Sequence, residues 1–210
     1  MEADSFVTVR RETETRFIEK KSVFITRVKP VETEDEAKAF IEAARADFPD
    51  ATHHVYAYIN REGNATRFSD DGEPQGTAGM PVYEVIRREK LTGVCIVVIR
   101  YFGGVLLGAG GLVRAYSRGA NDAVKEAGIC RWVKKELLNI SVDYDSAGRV
   151  RRELEKLGVA EESVSYGEKV EISVICSRQT AQRVDAAVAD ATRGACRAVR
   201  AGSRYAAEED

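Results

Sequence analysis

The stretch RYFGGVLLGAGGLVRAY, from Arg100 to Tyr116, decides how the first part of the chain folds. It holds five of the chain's 17 glycines and ends an apolar run, GVCIVVIRYF, that begins at Gly93. The apolar run predicts a buried strand, and small or apolar residues spaced three or four apart from Leu112 to Ala127 predict a helix. Glycine weakens strands and helices, so the cluster between them needs a reason. It predicts a tight strand-to-helix turn, or a backbone that another molecule approaches closely.

Alternating and capping patterns predict further elements before this unit. The segment Thr15–Val31 alternates like two strands with a turn near Lys20 and Lys21. Thr33 and Glu36 have the spacing of a capping box, which predicts the start of a helix. The sequence HVYAYI predicts a strand that turns back through residues 60–64. The first part is therefore predicted to be a mixed α/β domain.

The remainder of the chain predicts the element order βαββαβ, which is typical of a ferredoxin-like domain. We expect a strand over ELLNISVDYD, a helix capped by Ser146, strands near Val159–Tyr166 and Val170–Cys176, a helix over Arg178–Arg193, and a strand over Cys196–Ala201. We therefore predict an α+β protein of two domains. Residues 1–133 form the domain that carries both motifs, and residues 134–210 form the small ferredoxin-like domain.

The composition narrows the class of protein. A formal net charge of −2 argues against a strongly basic nucleic-acid domain. No apolar run approaches the roughly 20 residues of a membrane-spanning helix. The four cysteines form no C-x-x-C pair, which indicates reduced core residues rather than disulfides or zinc ligands. We expect a soluble, cytoplasmic protein that does not bind membranes, with an oligomeric state that the sequence leaves open.

The glycine stretch favours an anionic ligand. A strand that ends in glycines before a helix opening near Gly110 exposes backbone N–H groups at the helix N-terminus, where an anion is stabilised. Arg100, Arg114 and Arg118 flank it, and six basic residues face one acidic residue between Arg87 and Arg118. The alternative is that the glycines only permit a tight crossing and the arginines are solvated. The usual nucleotide-binding fingerprints are absent.

A second motif, SDDGEPQGTAG, supplies carboxylates. Asp70, Asp71 and Glu73 are numerous enough for a metal or for acid–base chemistry, but the EF-hand spacing is not met. Crowded carboxylates often cap N–H groups or pair with arginines instead, so we predict no metal and no cofactor. Gln75 and Thr77 suit a binding surface. His53 is a possible general base, with a packing or capping role as the alternative.

These stretches resemble the IMPACT/YigZ family. The matching segments are DDGEPQGTAG-x-P at Asp70–Pro81, RYFGG-x-x-LG-x-GGL-x-RAY at Arg100–Tyr116 and ATHH at Ala51–His54. The resemblance covers roughly Phe17–Ala127, and the tail resembles the small second domain of the bacterial members. It implies that the first domain has the βαβ fold shared by a ribosomal small-subunit protein and domain IV of elongation factor G. It also implies a second domain similar to domain V of that factor.

The resemblance also carries expectations about function. The eukaryotic relatives act in translational control and have an additional N-terminal RWD domain, whereas this sequence begins directly with the IMPACT-type domain. For the bacterial branch it suggests association with nucleic acid or the ribosome and no established reaction. The first-domain fold is shared with small-molecule kinases, which keeps an enzyme acting on a phosphorylated small molecule or nucleotide open. In that alternative, an acid from Asp70–Glu73 and His53 would transfer protons.

Our leading hypothesis is a non-enzymatic binding protein of translation or its regulation, with RNA or a ribosome-associated protein as partner. Arg100, Arg114 and Arg118 would pair with phosphates, and the carboxylates would position the arginines or meet basic groups. A pure protein-interaction module is a second alternative. The residues assigned to the binding surface are His53, Asp70, Asp71, Glu73, Gln75, Thr77, Arg100, Tyr101, Gly103, Gly104, Gly108, Gly110, Gly111, Arg114 and Arg118.

Overall fold

The computed structural model describes residues 5–208, which divide into two compact units. The first unit runs to Trp132 and the second begins at Val133. Within the described residues, both units combine helices with antiparallel sheet, which confirms the α+β prediction. None of the helices in this range is long and apolar enough to cross a membrane.

The first unit is a sheet covered by helices on both faces. Its elements are β1 (Ser5–Val9), β2 (Thr13–Glu19), β3 (Ser22–Pro30), α1 (Glu34–Asp47), β4 (His53–Ile59), β5 (Thr66–Ser69), α2 (Gly79–Arg88), β6 (Val94–Tyr101) and α3 (Ala109–Ala127). Five strands form a sheet in the order β2-β3-β6-β4-β5, and each neighbouring pair is antiparallel. Ile96 and Val98 of β6 join the core under α2 and α3, whereas Cys95 and Val97 join the core under α1. Because both faces are covered, β6 is apolar without a break from Val94 to Ile99.

The connection from β6 to α3 needs glycine for two reasons. A Cβ on Gly103 would lie 2.1 Å from the carbonyl carbon of Lys21, so the backbones of two loops touch here. Gly104 and Gly108 have φ values of +77° and +76°, which L side chains rarely adopt. The predicted tight turn is therefore present. Gly110 meets neither condition, since the nearest atom to its Cβ position is Nη1 of Arg114 at 3.8 Å.

The second unit has the ferredoxin-like arrangement. Its elements are β7 (Ile129–Val142), whose first residues belong to the first unit, α4 (Tyr144–Lys156), β8 (Glu161–Tyr166), β9 (Val170–Cys176), α5 (Arg178–Ala191) and β10 (Ala198–Ala207). The strands are ordered β8-β9-β7, and β10 also pairs with β7. Ile140 and Ile172 pack with Val150 of α4 and Val184 of α5, so both helices cover one face. The predicted βαββαβ order is confirmed.

Several predicted boundaries in this unit were wrong. Helix α4 begins at Tyr144 rather than after Ser146, because the backbone N–H of Ser146 already bonds to the carbonyl of Asp143. Strand β8 begins at Glu161 rather than Val159, whose N–H bonds back to Leu154 at the helix end. Strands β7 and β10 are both longer than their alternating patterns indicated.

Candidate functional site

The two motifs meet in a buried polar cluster formed by Glu73, Arg100 and Tyr116. Nη1 of Arg100 donates to Oε1 of Glu73 at 2.5 Å, and the hydroxyl of Tyr116 donates to the same oxygen at 2.7 Å. The side chains of Arg100 and Glu73 are only 5% and 4% exposed. Tyr116 is fully buried. The loop that carries the acidic motif is therefore fastened to the strand and helix that flank the glycine loop.

The prediction that Arg100 contacts phosphate is corrected by the buried surroundings of its side chain. Its Nη2 donates to Oγ of Ser22 at 3.2 Å, and its guanidinium carbon lies 5.5 Å from the ring centroids of both Phe24 and Phe102. A buried charge is tolerated only when it is paired, and Glu73 supplies the pair. Arg100 is thus an interior residue that joins the two motifs, and Glu73 holds its guanidinium in place.

Tyr116 completes the cluster as a permanent donor. Burial raises the pKa of its hydroxyl, and the hydrogen bond that it donates to Glu73 raises that pKa further. The phenol therefore stays protonated at neutral pH. The sequence offered no signal for this role, because Tyr116 occupies a position that reads as ordinary helix core.

The remaining acidic residues hold the loop in shape. Oδ1 of Asp70 accepts from the backbone N–H groups of Ala78 and Gly79, at 3.0 and 2.8 Å, where α2 begins. Oδ2 of Asp71 accepts from the backbone N–H of His54 at 2.6 Å. These contacts match the capping alternative. Within residues 5–208, no group of three or more histidine, cysteine or acidic side chains is arranged to hold a metal.

His53 lies beside the cluster. Its Nδ1 is 2.8 Å from the carbonyl oxygen of Asp71, and because a carbonyl can only accept, Nδ1 carries the proton. Its Nε2 is 3.8 Å from Oε1 of Glu73. The ring is 17% exposed, so this histidine borders the surface and is oriented by the acidic loop.

The other predicted residues divide between structural and open positions. The hydroxyl of Thr77 donates to the carbonyl of Pro74 at 2.6 Å and stabilises the loop. Gln75 is exposed on that loop. The hydroxyl of Tyr101 donates to Asp50 at 2.9 Å, and this bond adds to burial in raising the pKa of Tyr101. Of these three residues, only Gln75 is exposed and has no hydrogen-bond partner among the described residues.

An open cleft of about 200 Å³ lies along the first turns of α3. Its lining residues are Phe17, Glu19, Lys20, Leu107, Gly111, Arg114, Ala115 and Arg118. Arg118 rests on Phe17, with 4.4 Å from its guanidinium carbon to the ring centroid, and pairs with Asp122 at 3.4 Å. Arg114 is exposed and has no hydrogen bond or ion pair within the part of the chain that the structure describes. The cleft combines three cations with one carboxylate.

Lys20 lines this cleft and Lys21 is the next residue; the sequence analysis predicted a turn at these two lysines but did not assign them to the binding surface. They form the turn between β2 and β3, with φ values of 45° and 66°. This left-handed conformation costs a non-glycine residue about 1–2 kcal/mol, and such hairpin turns prefer Asn-Gly. The close approach of Gly103 to Lys21 brings this turn against the glycine loop. Two adjacent lysines at a predicted hairpin tip were the available signal.

Comparison with known proteins places this architecture in a family. Residues 20–124 match the Impact N-terminal domain, and residues 140–195 match a domain of unknown function (DUF1949). The chain is 37% identical over 168 residues to the IMPACT family member YvyE of Bacillus subtilis, covering 80% of this chain and 77% of that protein. It is 44% identical over 110 residues to the IMPACT family member YigZ of Escherichia coli, covering 51% and 54% respectively. The chain belongs to the IMPACT family.

A solved structure supports the same fold. A crystal structure described as that of a hypothetical protein superposes with a TM-score of 0.62 at 30% identity, covering 94% of this chain and 97% of the other. The likeness therefore extends over both units. The family assignment that the two motifs indicated is confirmed.

Proposed function

We propose that this protein is a non-enzymatic, cytoplasmic binding protein of the translation apparatus that contacts the RNA backbone. The contact surface consists of Lys20, Lys21 and Arg114, together with Arg118 and the glycine loop. Membership of a family associated with translational regulation supports the process, and the chemistry of this surface supports the ligand.

The observation that carries the proposal is a set of unpaired cations, two that line the cleft (Lys20 and Arg114) and one next to Lys20 in the chain (Lys21). Lys20, Lys21 and Arg114 have no ion-pair partner among the described residues, although the protein as a whole is slightly acidic. Strained backbone that persists at a surface is a signature of functional sites, and both lysines occupy such backbone. A phosphate backbone would supply the missing anions.

The start of α3 adds to the attraction for phosphate. Its N-cap, Gly108, has no side chain, and its first turn contains no acidic residue. The partial positive charge of the helix N-terminus is therefore not neutralised locally. Gly110 adds no side chain to this turn, so a bulky anion can approach the backbone.

The test compares two variants of equal charge. The test variant has glutamine in place of Lys20, Lys21 and Arg114. The control variant has glutamine in place of three exposed cations on α1, α2 and the end of α3, namely Lys38, Arg87 and Lys125. Single-stranded RNA binding is measured by anisotropy at several salt concentrations, beside crosslinking of RNA in cells. Each phosphate contact contributes about 0.7 to the salt slope, so three lost contacts should reduce it by about 2.

The control variant should bind like the wild-type protein. Absence of RNA binding by the wild type would refute the proposal. A salt-tolerant complex with one protein would then favour an interaction module. A nucleotide that raises the Tm would instead favour an enzyme that uses the glycine loop.

A further inference from the structure

Phe102 is an exposed aromatic ring in a constrained position. It directly follows β6, whose residues are buried from Val94 to Arg100, yet Phe102 is 45% exposed. Its backbone N–H donates to Oγ1 of Thr52 at 3.1 Å, and the guanidinium of Arg100 lies over its ring at 5.5 Å. One region of the ring therefore rests on a buried cation, and the rest faces solvent.

The ring adjoins the cationic surface. The next residue, Gly103, touches the backbone of Lys21 at the β2–β3 turn, and its N–H donates to Oγ of Ser22 at 3.2 Å. Lys20, on the same turn, lines the cleft with Arg114. An exposed aromatic residue therefore directly precedes the glycine that touches the turn carrying Lys20 and Lys21.

From this juxtaposition we propose that Phe102 is a stacking platform for an unpaired nucleobase, so that the protein binds single-stranded rather than double-stranded RNA. The inference rests on the proposed function and adds the form of RNA that the surface takes. Proteins that bind single strands combine a cationic track for the backbone with aromatic rings for the bases. In a duplex the base faces are stacked on one another, so no face is free for Phe102.

The alternative occupant of an exposed phenylalanine is a protein. The neighbouring loop also exposes Val105 and Leu106, which are 39% and 81% exposed. Neither side chain has a planar face, so neither can stack on a base. A stacking role thus belongs to Phe102 alone among these three residues, whereas a protein contact would use Leu106 as well. This difference makes the two occupants separable by substitution.

The experiment measures the binding of fluorescent oligouridine and of a blunt-ended RNA duplex to the full chain. Phe102→Ala should weaken oligouridine binding by about 5- to 150-fold, the usual loss per stacked base, and leave the salt slope unchanged. Phe102→Leu should lose a similar factor because it keeps apolar area but no ring. Phe102→Trp should keep the affinity, and its added fluorescence should be quenched by RNA.

Phe68→Ala is the matched control. Phe68 is 41% exposed, and it stacks on Tyr83 at a centroid distance of 5.4 Å. It pairs with Ala57 of β4, which pairs with Ile96 near the start of β6, whereas Phe102 follows the end of that strand. Phe68→Ala should therefore bind RNA like the wild type. Tm values check that each variant is folded.

The outcomes separate this inference from the proposed function. If the glutamine variant loses RNA binding while Phe102→Ala and Phe102→Leu bind like wild type, the stacking site is refuted and the cationic surface stands. Equal affinity for the blunt-ended duplex and the single strand would also refute it. If the wild type binds no RNA, both proposals fail. A protein complex weakened by both Phe102→Ala and Leu106→Ala, without RNA binding, would identify a protein contact instead.

Discussion

Replacement of Arg100 by methionine tests the assignment of this residue to the interior. The change leaves the Glu73 carboxylate 4% exposed, with the Tyr116 hydroxyl as its nearest donor. Removal of one partner from a buried ion pair costs about 3–5 kcal/mol. We therefore expect the free energy of unfolding to fall by about that amount. The double variant Glu73→Gln/Arg100→Met buries no charge and should recover about 2 kcal/mol of the loss.

The measurement is urea unfolding followed by Trp132 fluorescence, since Trp132 belongs to the first unit. Arg87→Met is the control: Arg87 pairs with Glu84 at 2.9 Å, but both side chains are more than half exposed. Exposed pairs contribute about 0–1 kcal/mol, so this variant should be nearly as stable as the wild type. A loss for Arg100→Met no greater than for Arg87→Met would refute the argument, as would additive losses in the double variant.

The same variant distinguishes an interior arginine from a phosphate contact. At a temperature where Arg100→Met is folded, its RNA affinity should show the wild-type dependence on salt. An arginine that contacts phosphate would instead reduce the salt slope by about 0.7.

Two further results are expected from the geometry. Gly103→Ala should lower the free energy of unfolding by about 1–3 kcal/mol, because the added Cβ would overlap the backbone of Lys21. Gly148→Ala, which places its Cβ in open space on helix α4, should raise that free energy by about 0.5–1 kcal/mol. Equal effects of the two substitutions in thermal unfolding would contradict the prediction. The second expected result is a loss of stability at alkaline pH. Burial, aided by the hydrogen bond to Glu73, raises the pKa of the Tyr116 hydroxyl. The unfolded chain therefore releases this proton near pH 10, whereas the folded chain keeps it. Stability is therefore full below about pH 10 and falls above it by up to about 1.4 kcal/mol per pH unit. In denaturant titrations, the free energy of unfolding of Tyr116→Phe should fall less steeply above about pH 10 than that of the wild type. An equally steep fall would be evidence against the raised pKa of Tyr116.

Local patterns were sufficient to predict most elements of this chain. The apolar run through β6 and the spacing of small residues along α3 depend on neighbours a few positions apart, so they are visible in the sequence. The turn at Lys20 and Lys21 and the helix start at Thr33 were likewise predicted, and Oγ1 of Thr33 accepts from the N–H of Glu36 at 3.2 Å. The order of elements in the second unit identified its ferredoxin-like arrangement.

The tertiary structure alone decided which charged residues are available to a ligand. Arg100 and Arg114 are both arginines beside a glycine loop, and nothing local distinguishes them. Arg100 points into the interior because Glu73, from a distant loop, and Ser22, from another strand, meet it there. Lys21 lies beside the glycine loop because Gly103, which has no side chain, lets the backbone of Lys21 approach closely. Sequence determines the elements through short-range propensity and periodicity, whereas the pairing of charges depends on contacts between residues far apart in the chain.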